Sequence, residues 1–310
     1  MWPVVPRFTS APTTAGLVTL GAPDAAGNRE NVDRALEWLR ERHIAVKWGE
    51  HALHSEGFLA ASPRALAADL HAMLGDTSVD FVITTGGGAN ANEILPYLVP
   101  EQLRLHPKPV IGLSNTTVVL NYLAAASGVV TFHGPVLGWN IGAEKGLDTY
   151  TESHLYRAIT GESPLTVTPE ANWRWARAGA ASGRVWGGNL WSFEQLLGTP
   201  FLPDLSGAVL FIEECFAELH NVAASLTHLA QAGVFRQLSA LVVGVPLECA
   251  ETEMKDDRDF ETLVLDACRE YAFPILTGVQ LGHTDRKITV PVGATAWLDP
   301  SAGQLRFGSV

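Results

Sequence analysis

The sequence predicts an α/β protein of two domains joined by a linker, and three observations carry this. Short apolar, β-branched runs such as "VDFVITT" (Val79 to Thr85) have the composition of parallel strands covered on both faces. They alternate with stretches whose apolar residues recur at helical spacing, the pattern of a parallel sheet with crossover helices. A polar stretch with Gly, Pro and no sustained period, 139–172, separates two such series and leaves 1–138 and 173–310 as candidate domains. At 310 residues the chain can bury a large core, as one big or two medium domains.

The first series opens with "GLVTLGAP" (Gly16 to Pro23), a short strand ending in a turn. "NVDRALEWLRERH" follows, with Val32, Leu36 and Leu39 at helical spacing and polar residues opposite. "SPRALAADLHAML" begins with Ser62 as an N-cap and Pro63 at the first helical position, and it buries Leu66, Leu70 and Leu74. "VDFVITT" then runs into "GGGANANEILPYL". The turn His106-Pro107-Lys108-Pro109 leads to "VIGLSN" (Val110 to Asn115), a buried strand ending in a serine, and then to the helix "TTVVLNYLAAASG". The linker has room for one short helix. Beyond it come "SGRVWGGNLWSFEQLLGT", the strand "GAVLFIEE", the helix "HNVAASLTHLAQAG", the strand "ALVVGV" and the helix "FETLVLDACREY". "PILTGVQLGHTD" and an alternating tail, "KITVPVGATAWLD", complete the chain.

Composition excludes several classes. With 47% hydrophobic and 17% charged residues the chain is globular rather than disordered. A net charge of -12 and the lack of any basic run argue against a nucleic-acid backbone or an anionic membrane as partner. Cys215, Cys249 and Cys268 are scattered and odd in number, which speaks against a disulfide framework or a zinc site and fits a reducing compartment. The stretch "MWPVVPRFTSAPTTAG" has no charged n-region and no long apolar core, so no signal peptide is expected. No run has the length of a membrane span. The expected location is cytoplasmic.

Ser114, at the hinge between strand and helix, has two readings. As an N-cap its hydroxyl would accept from an orphan backbone N–H. As a nucleophile it would be held out by a sharp turn, with the helix N-terminus serving a developing oxyanion. Gly112-Leu113-Ser114-Asn115-Thr116 meets only half of the G-x-S-x-G pattern. Gly86, Gly87 and Gly88 follow a neighbouring strand, and carboxyl ends of parallel strands share the edge where ligands bind. Uncovered N–H groups there can donate to an oxyanion beside Ser114; the spacing fits neither G-x-G-x-x-G nor a P-loop.

A serine nucleophile needs a base, and the base an orienting group. His43, His71, His154, His220 and His228 fall in helical patterns, as surface or boundary residues, and His51 and His54 flank a loop. His133 ends a strand, and His283 stands in a Gly-His turn after one. Glu213 and Glu214 end a very apolar strand, where alternation turns one of them inward and an inward carboxylate needs a partner. Ser114, Glu213 and His283 form the candidate set. No His/Asp/Glu cluster has metal-ligand spacing along the sequence, so neither metal nor cofactor is expected.

These segments resemble the LD-carboxypeptidases, a family of serine peptidases with a microcin C immunity (MccF) branch. "PKPVIGLSNTT" resembles the nucleophile block PKxxxGxSDxT, with Ser114 on its catalytic serine. "GGGANANEILPYL" is similar to the glycine block of the immunity branch, GGxNxNxLLPY. "GRVWGGNLWSFEQLLGTPFLPDLSGAVLFIEE" and "LGHTDRKITVPVGATAWLD" match the blocks that carry the catalytic Glu and His, at Glu213 and His283. The resemblance spans nearly the whole chain. It implies an N-terminal doubly wound, flavodoxin-like domain bearing the serine and a C-terminal α/β domain bearing Glu and His, with the active site in the cleft between them. It also implies an oxyanion hole from the backbone of Asn115 and of Gly87 or Gly88.

The chain departs from the pattern at three places. Asn115 stands where the family usually has Asp, and Thr85 or Gly86 where the peptidoglycan branch often has Arg. The Trp-Thr-Asp stretch, within which the immunity branch carries an aromatic that stacks on a nucleobase, is missing from 139–172. The implied activity is amide hydrolysis through an acyl-enzyme, on a muropeptide or, alternatively, on a peptide–nucleotide antibiotic. A catalytically silent binding protein is the alternative from another class. The expected partners are a small peptide or peptide-conjugate substrate and a second copy of the chain, with no nucleic acid and no membrane.

Overall fold

The alternation of strands and helices produces two sheets, one dominated by each half of the chain. The computed structural model describes residues 5–162, 165–167, 169–252 and 256–308. In the first half, β1 (Thr14–Val18), β2 (Ala45–Trp48), β3 (Phe81–Thr84), β4 (Val110–Gly112) and β5 (Thr131–His133) are parallel, in the spatial order β2-β1-β3-β4-β5. That order is the flavodoxin-like doubly wound one. Its helices are α1 (Asp24–Gly27), α2 (Arg29–Glu41), α3 (Pro63–Gly75), α4 (Pro100–Leu105), α5 (Thr117–Ser127) and α6 (Thr149–Thr160). Strand alternation sorts them onto two faces. Ala15 and Leu17 pack with Leu39 of α2 and with Leu155 and Ile159 of α6. Val18 and Leu20 instead join Leu66 and Leu70 of α3 and Val118 and Leu120 of α5. Ser62 caps α3 by accepting from the Ala65 N–H at 3.4 Å, with Pro63 opening the helix.

The second half contributes β6 (Leu165–Val167), β7 (Arg174–Arg177), β8 (Ala181–Asn189), β9 (Ala208–Glu213), β10 (Leu238–Gly244), β11 (Ile275–Val279), β12 (Val290–Val292), β13 (Thr295–Asp299) and β14 (Gln304–Phe307). The helices α7 (Leu190–Glu194), α8 (Leu219–Gln231) and α9 (Phe260–Ala267) accompany them. The sheet runs β6-β14-β13-β8-β9-β10-β11-β7, with β8 to β11 parallel at its centre and antiparallel strands on both flanks.

Two features differ from the sequence reading. β12 does not join the second sheet. It pairs antiparallel with β5 on the edge of the first, with Val290 opposite His133 and Val292 opposite Thr131. Within 139–172, α6 is a 12-residue helix whose Leu155, Ala158 and Ile159 belong to the first core. His154 on that helix is only 4% exposed, not a surface or boundary residue.

The halves meet along α5 and β8. The Asn121 side-chain amide donates to the Gly187 carbonyl (2.8 Å) and accepts from the Gly187 N–H (3.0 Å). Thr117 Oγ1 accepts from the Asn189 N–H at 3.1 Å. A helix that starts just after Ser114 is thereby tied to the strand beside β9, which ends at Glu213.

Candidate active site

β4 stops at Gly112, and two residues later Ser114 adopts a left-handed backbone with φ 63. For a residue with a side chain this conformation costs on the order of 1–3 kcal/mol, and such strain gathers at functional turns. The 3-10 turn Ser114–Thr116 leads straight into α5, and the Ser114 hydroxyl caps neither segment. It is partly exposed and faces a cavity of about 350 Å³.

The glycines after β3 close one side of that cavity. A Cβ on Gly87 would lie 2.3 Å from the Ser114 Cβ, so only glycine lets the two turns approach this closely. Gly86, Gly87 and Gly88 line the cavity together with Asp24, which follows β1. Burial raises the Asp24 carboxyl above the ordinary aspartate range, while a hydrogen bond from the Gly87 backbone pulls the other way. Asn115 lies beneath Ser114, fully buried. Its Oδ1 accepts from the Ala91 N–H at 2.6 Å and its Nδ2 donates to Ser192 Oγ at 3.2 Å. Ser192 Oγ bonds onward to Asn189 Oδ1 at 2.7 Å, so this network uses both the acceptor and the donor of an amide.

The other side comes from the second half. His283 sits in the loop after β11, and its Nδ1 lies 2.7 Å from Oε2 of Glu213, which is fully buried at the end of β9. Gly282, at φ +94, makes the approach possible, since a Cβ there would stand 2.4 Å from Glu213 Oε2. With Nδ1 engaged, Nε2 is the imidazole atom left for chemistry. Burial works against the Glu213 charge, but His283 above all, with His133 and Lys287 behind it, holds the carboxyl below the ordinary glutamate range.

The sequence reading expected one of the two glutamates to face inward; both are buried, in different surroundings. Glu214 accepts from Asn189 Nδ2 (2.6 Å) and from the N–H groups of Trp191 (3.0 Å) and Cys215 (2.9 Å). Burial raises its carboxyl. His133, the other strand-end histidine, does not line the cavity. It is buried against Phe211, and burial lowers it to about 4, so it is neutral at neutral pH.

Ser114, Gly87, Gly88 and His283 therefore share one cavity, with Glu213 behind the histidine and Asn115 under the serine. The sequence reading missed Asp24, Trp139, Cys215 and Phe216 on its walls. The strand-end rule that singled out the glycines applies equally to Asp24 after β1. Trp139 and Phe216 are 51% and 54% exposed and meet edge to face at 5.9 Å between centroids, one ring from each half. Away from the cavity, Glu218, His220 and Glu251 gather ligand-type atoms within 4.8 Å of one another, a cluster that sequence spacing hid. These groups already bond to one another or to neighbours, His220 to Glu251 and Glu218 to Thr252.

Comparison with known proteins adds a lineage to this geometry. Residues 16–134 match the LD-carboxypeptidase N-terminal domain, and residues 182–298 match the LD-carboxypeptidase C-terminal domain. A probable murein peptide carboxypeptidase of Bacillus subtilis is 30% identical over 292 residues, covering 94% of this chain and 90% of the relative. The microcin C7 self-immunity protein MccF of Escherichia coli is 25% identical over 316 residues, covering 92% and 90%. Among solved structures, MccF in complex with glutamyl sulfamoyl guanosine superposes with a TM-score of 0.91 at 22% identity, over 100% of this chain and 99% of the other. Muramoyltetrapeptide carboxypeptidase from Oxalobacter formigenes gives 0.81 at 26% identity, over 95% and 98%.

Proposed function

The chain belongs to the LD-carboxypeptidase family, a family of peptidases, and from that premise we propose a serine hydrolase that cleaves an amide bond through an acyl-enzyme. The observation that carries this reading is the 2.7 Å contact of Glu213 with His283 beside a cavity onto which the strained Ser114 also opens. In the proposed cycle Ser114 Oγ attacks the scissile carbonyl carbon, and its proton passes to His283 Nε2. Glu213 fixes the imidazole tautomer and stabilises the imidazolium. Backbone N–H groups of Asn115 and of Gly88, or of Gly87 once it leaves the Asp24 carboxyl, bind the oxyanion, each donor contributing roughly 3 kcal/mol. The C–N bond then breaks, and the His283 proton goes to the leaving amine. Water, deprotonated by His283, attacks the ester and releases the acid and the free serine.

This reading divides the work between 1–138, which carries the serine, and 173–310, which carries Glu213 and His283, with 139–172 between them. It takes a muropeptide amide as substrate, a homodimer as assembly and the cytoplasm as location. Among the described residues no helix is long and apolar enough to cross a membrane. A second substrate, the amide of a peptide–nucleotide conjugate, is favoured by one observation: the exposed Trp139–Phe216 pair offers planar apolar surface at the cavity.

Two experiments test the proposal. A fluorophosphonate should label Ser114 covalently; a folded protein that resists the label would instead be a binding protein that retains the cleft. Hydrolysis of a muropeptide tetrapeptide compared with an aminoacyl sulfamoyl adenosine then separates the substrates.

A further inference from the structure

The cavity onto which Ser114 opens also holds a carboxylate that the proposed cycle does not use. Asp24 follows β1 and lines the cavity beside the glycine turn. A Cβ on Gly86 would stand 2.8 Å from the Asp24 Cγ, just as one on Gly87 would crowd Ser114. The acid and the serine thus lie against consecutive glycines, whose Cα atoms are about 3.8 Å apart.

The surroundings of Asp24 leave its charge open to a ligand. Among the described residues no ion pair reaches it, and its carboxyl has the Gly87 N–H as its polar partner. No lysine or arginine lines the cavity among the described residues, and burial keeps the Cys215 thiol protonated. Burial also works against the Asp24 charge, and a cation settling beside it would offset that cost. Trp139 and Phe216, about half exposed on the same walls, present aromatic rings, whose faces attract cations. A carboxylate, two rings and no basic side chain suit an ammonium group and repel a second carboxylate.

The proposed cycle says which part of the substrate carries that group. His283 passes its proton to the leaving amine, so the leaving group lies along the wall from the second half. The acyl portion turns toward the first half, where Asp24 stands. Resting on this hydrolase reading, we propose that Asp24 is a specificity residue: its carboxylate takes a primary ammonium on the acyl portion of the substrate. The substrate class is then an amide whose acyl group keeps a free amine, on its α-carbon or at the end of its side chain.

The test measures how well four dipeptides protect Ser114 of the full chain from a fluorophosphonate at pH 7. They are L-lysyl-D-alanine, its Nα-acetyl and Nε-acetyl forms, and the doubly acetylated form. In the wild type the unmodified dipeptide should half-protect at a concentration about tenfold or more below that of the doubly acetylated one. The singly acetylated forms identify the amine that Asp24 takes, because blocking it removes the advantage. Asp24→Asn keeps an acceptor for the Gly87 N–H and removes the charge, so the tenfold gap should close. Asp24→Ser, measured in the same way, guards against a variant that misfolds. Equal protection by all four dipeptides, or by none, in the wild type would overturn the proposal. So would a gap that persists in a folded variant, or the failure of both variants to fold, since Asp24 would then serve the fold. A wild type that resists the label loses the serine hydrolase itself; one labelled at Ser114 without preference among the dipeptides loses only the role of Asp24.

Discussion

A methyl group on Gly87 would come within 2.3 Å of the Ser114 Cβ, so the glycine turn after β3 and the serine turn after β4 are fitted to one another without slack. Gly87→Ala should therefore displace the serine rather than unfold the domain. The expected loss in labelling rate and turnover is about a hundredfold, the scale of a 1 Å misplacement. Wild-type labelling by a folded Gly87→Ala protein would show that the contact is dispensable.

Ser114→Ala should cost little in stability, under about 1 kcal/mol, because the hydroxyl caps no helix. Turnover should fall by about 10⁴-fold or more. Thermal melting and a hydrolysis assay on the same preparation give both numbers. Retained turnover would remove the serine from its assigned role.

The two buried glutamates should fail in different ways. Glu213→Gln presents an amide to His283 Nδ1 and should lower kcat by about 10³- to 10⁴-fold through the wrong tautomer, with the fold kept. Glu214→Gln turns an amide toward donors that now bond to a carboxylate, and should lower stability by about 1–3 kcal/mol with a smaller change in kcat. Reversed severities would transfer the orienting role to Glu214.

Asn115→Asp restores the residue usual in the family and tests whether this chain has adapted around the amide. The hydrogen of Ser192 Oγ is committed to Asn189, so a buried aspartate would face a hydroxyl with no proton to offer. A loss of about 1–3 kcal/mol is expected in chemical denaturation. An unchanged midpoint would mean that Ser192 simply rotates.

Acid sensitivity should come partly from His154. Burial lowers it to about 4, against an unperturbed value of 6.5, so the unfolded chain takes up a proton there before the folded protein does. Stability is then full above about pH 6.5 and falls as pH drops toward 4, by about 3 kcal/mol over the window. His154→Phe keeps a ring against Tyr150, 4.5 Å away between centroids, and removes the titration. Urea midpoints at pH 7 and pH 5 should differ less in this variant than in the wild type; equal differences would dismiss the histidine.

Much of the first sheet was legible because β3 and β4 are continuous apolar runs and α2 and α3 carry clean helical stripes. Ser114, Glu213, His283 and the glycine turn were legible because each stands at or just after the end of such a strand, whereas Asp24, Trp139, Cys215 and Phe216 on the cavity walls were not singled out. Three things were hidden, each for a physical reason. α6 places Thr151 and His154 on its buried face beside Leu155, Ala158 and Ile159, so its stripe is too polar to register as a period. β12 continues the alternation that β13 shares, and alternation specifies a face, never a partner strand. Lys287, fully buried, is a charge in that same run, and charge ordinarily signals solvent.

The position of β12 bears on how the molecule can be taken apart. β5 would be an open edge of the first sheet without it, and bare edges recruit other chains. A break anywhere between residues 139 and 172 would therefore yield two polypeptides that each hold something the other lacks: one an unsealed margin, the other a strand with nowhere to lie. Neither would be a module to graft elsewhere. Mixed together, they would make a split-protein reporter, dark as single pieces and active in proportion to the product of their concentrations.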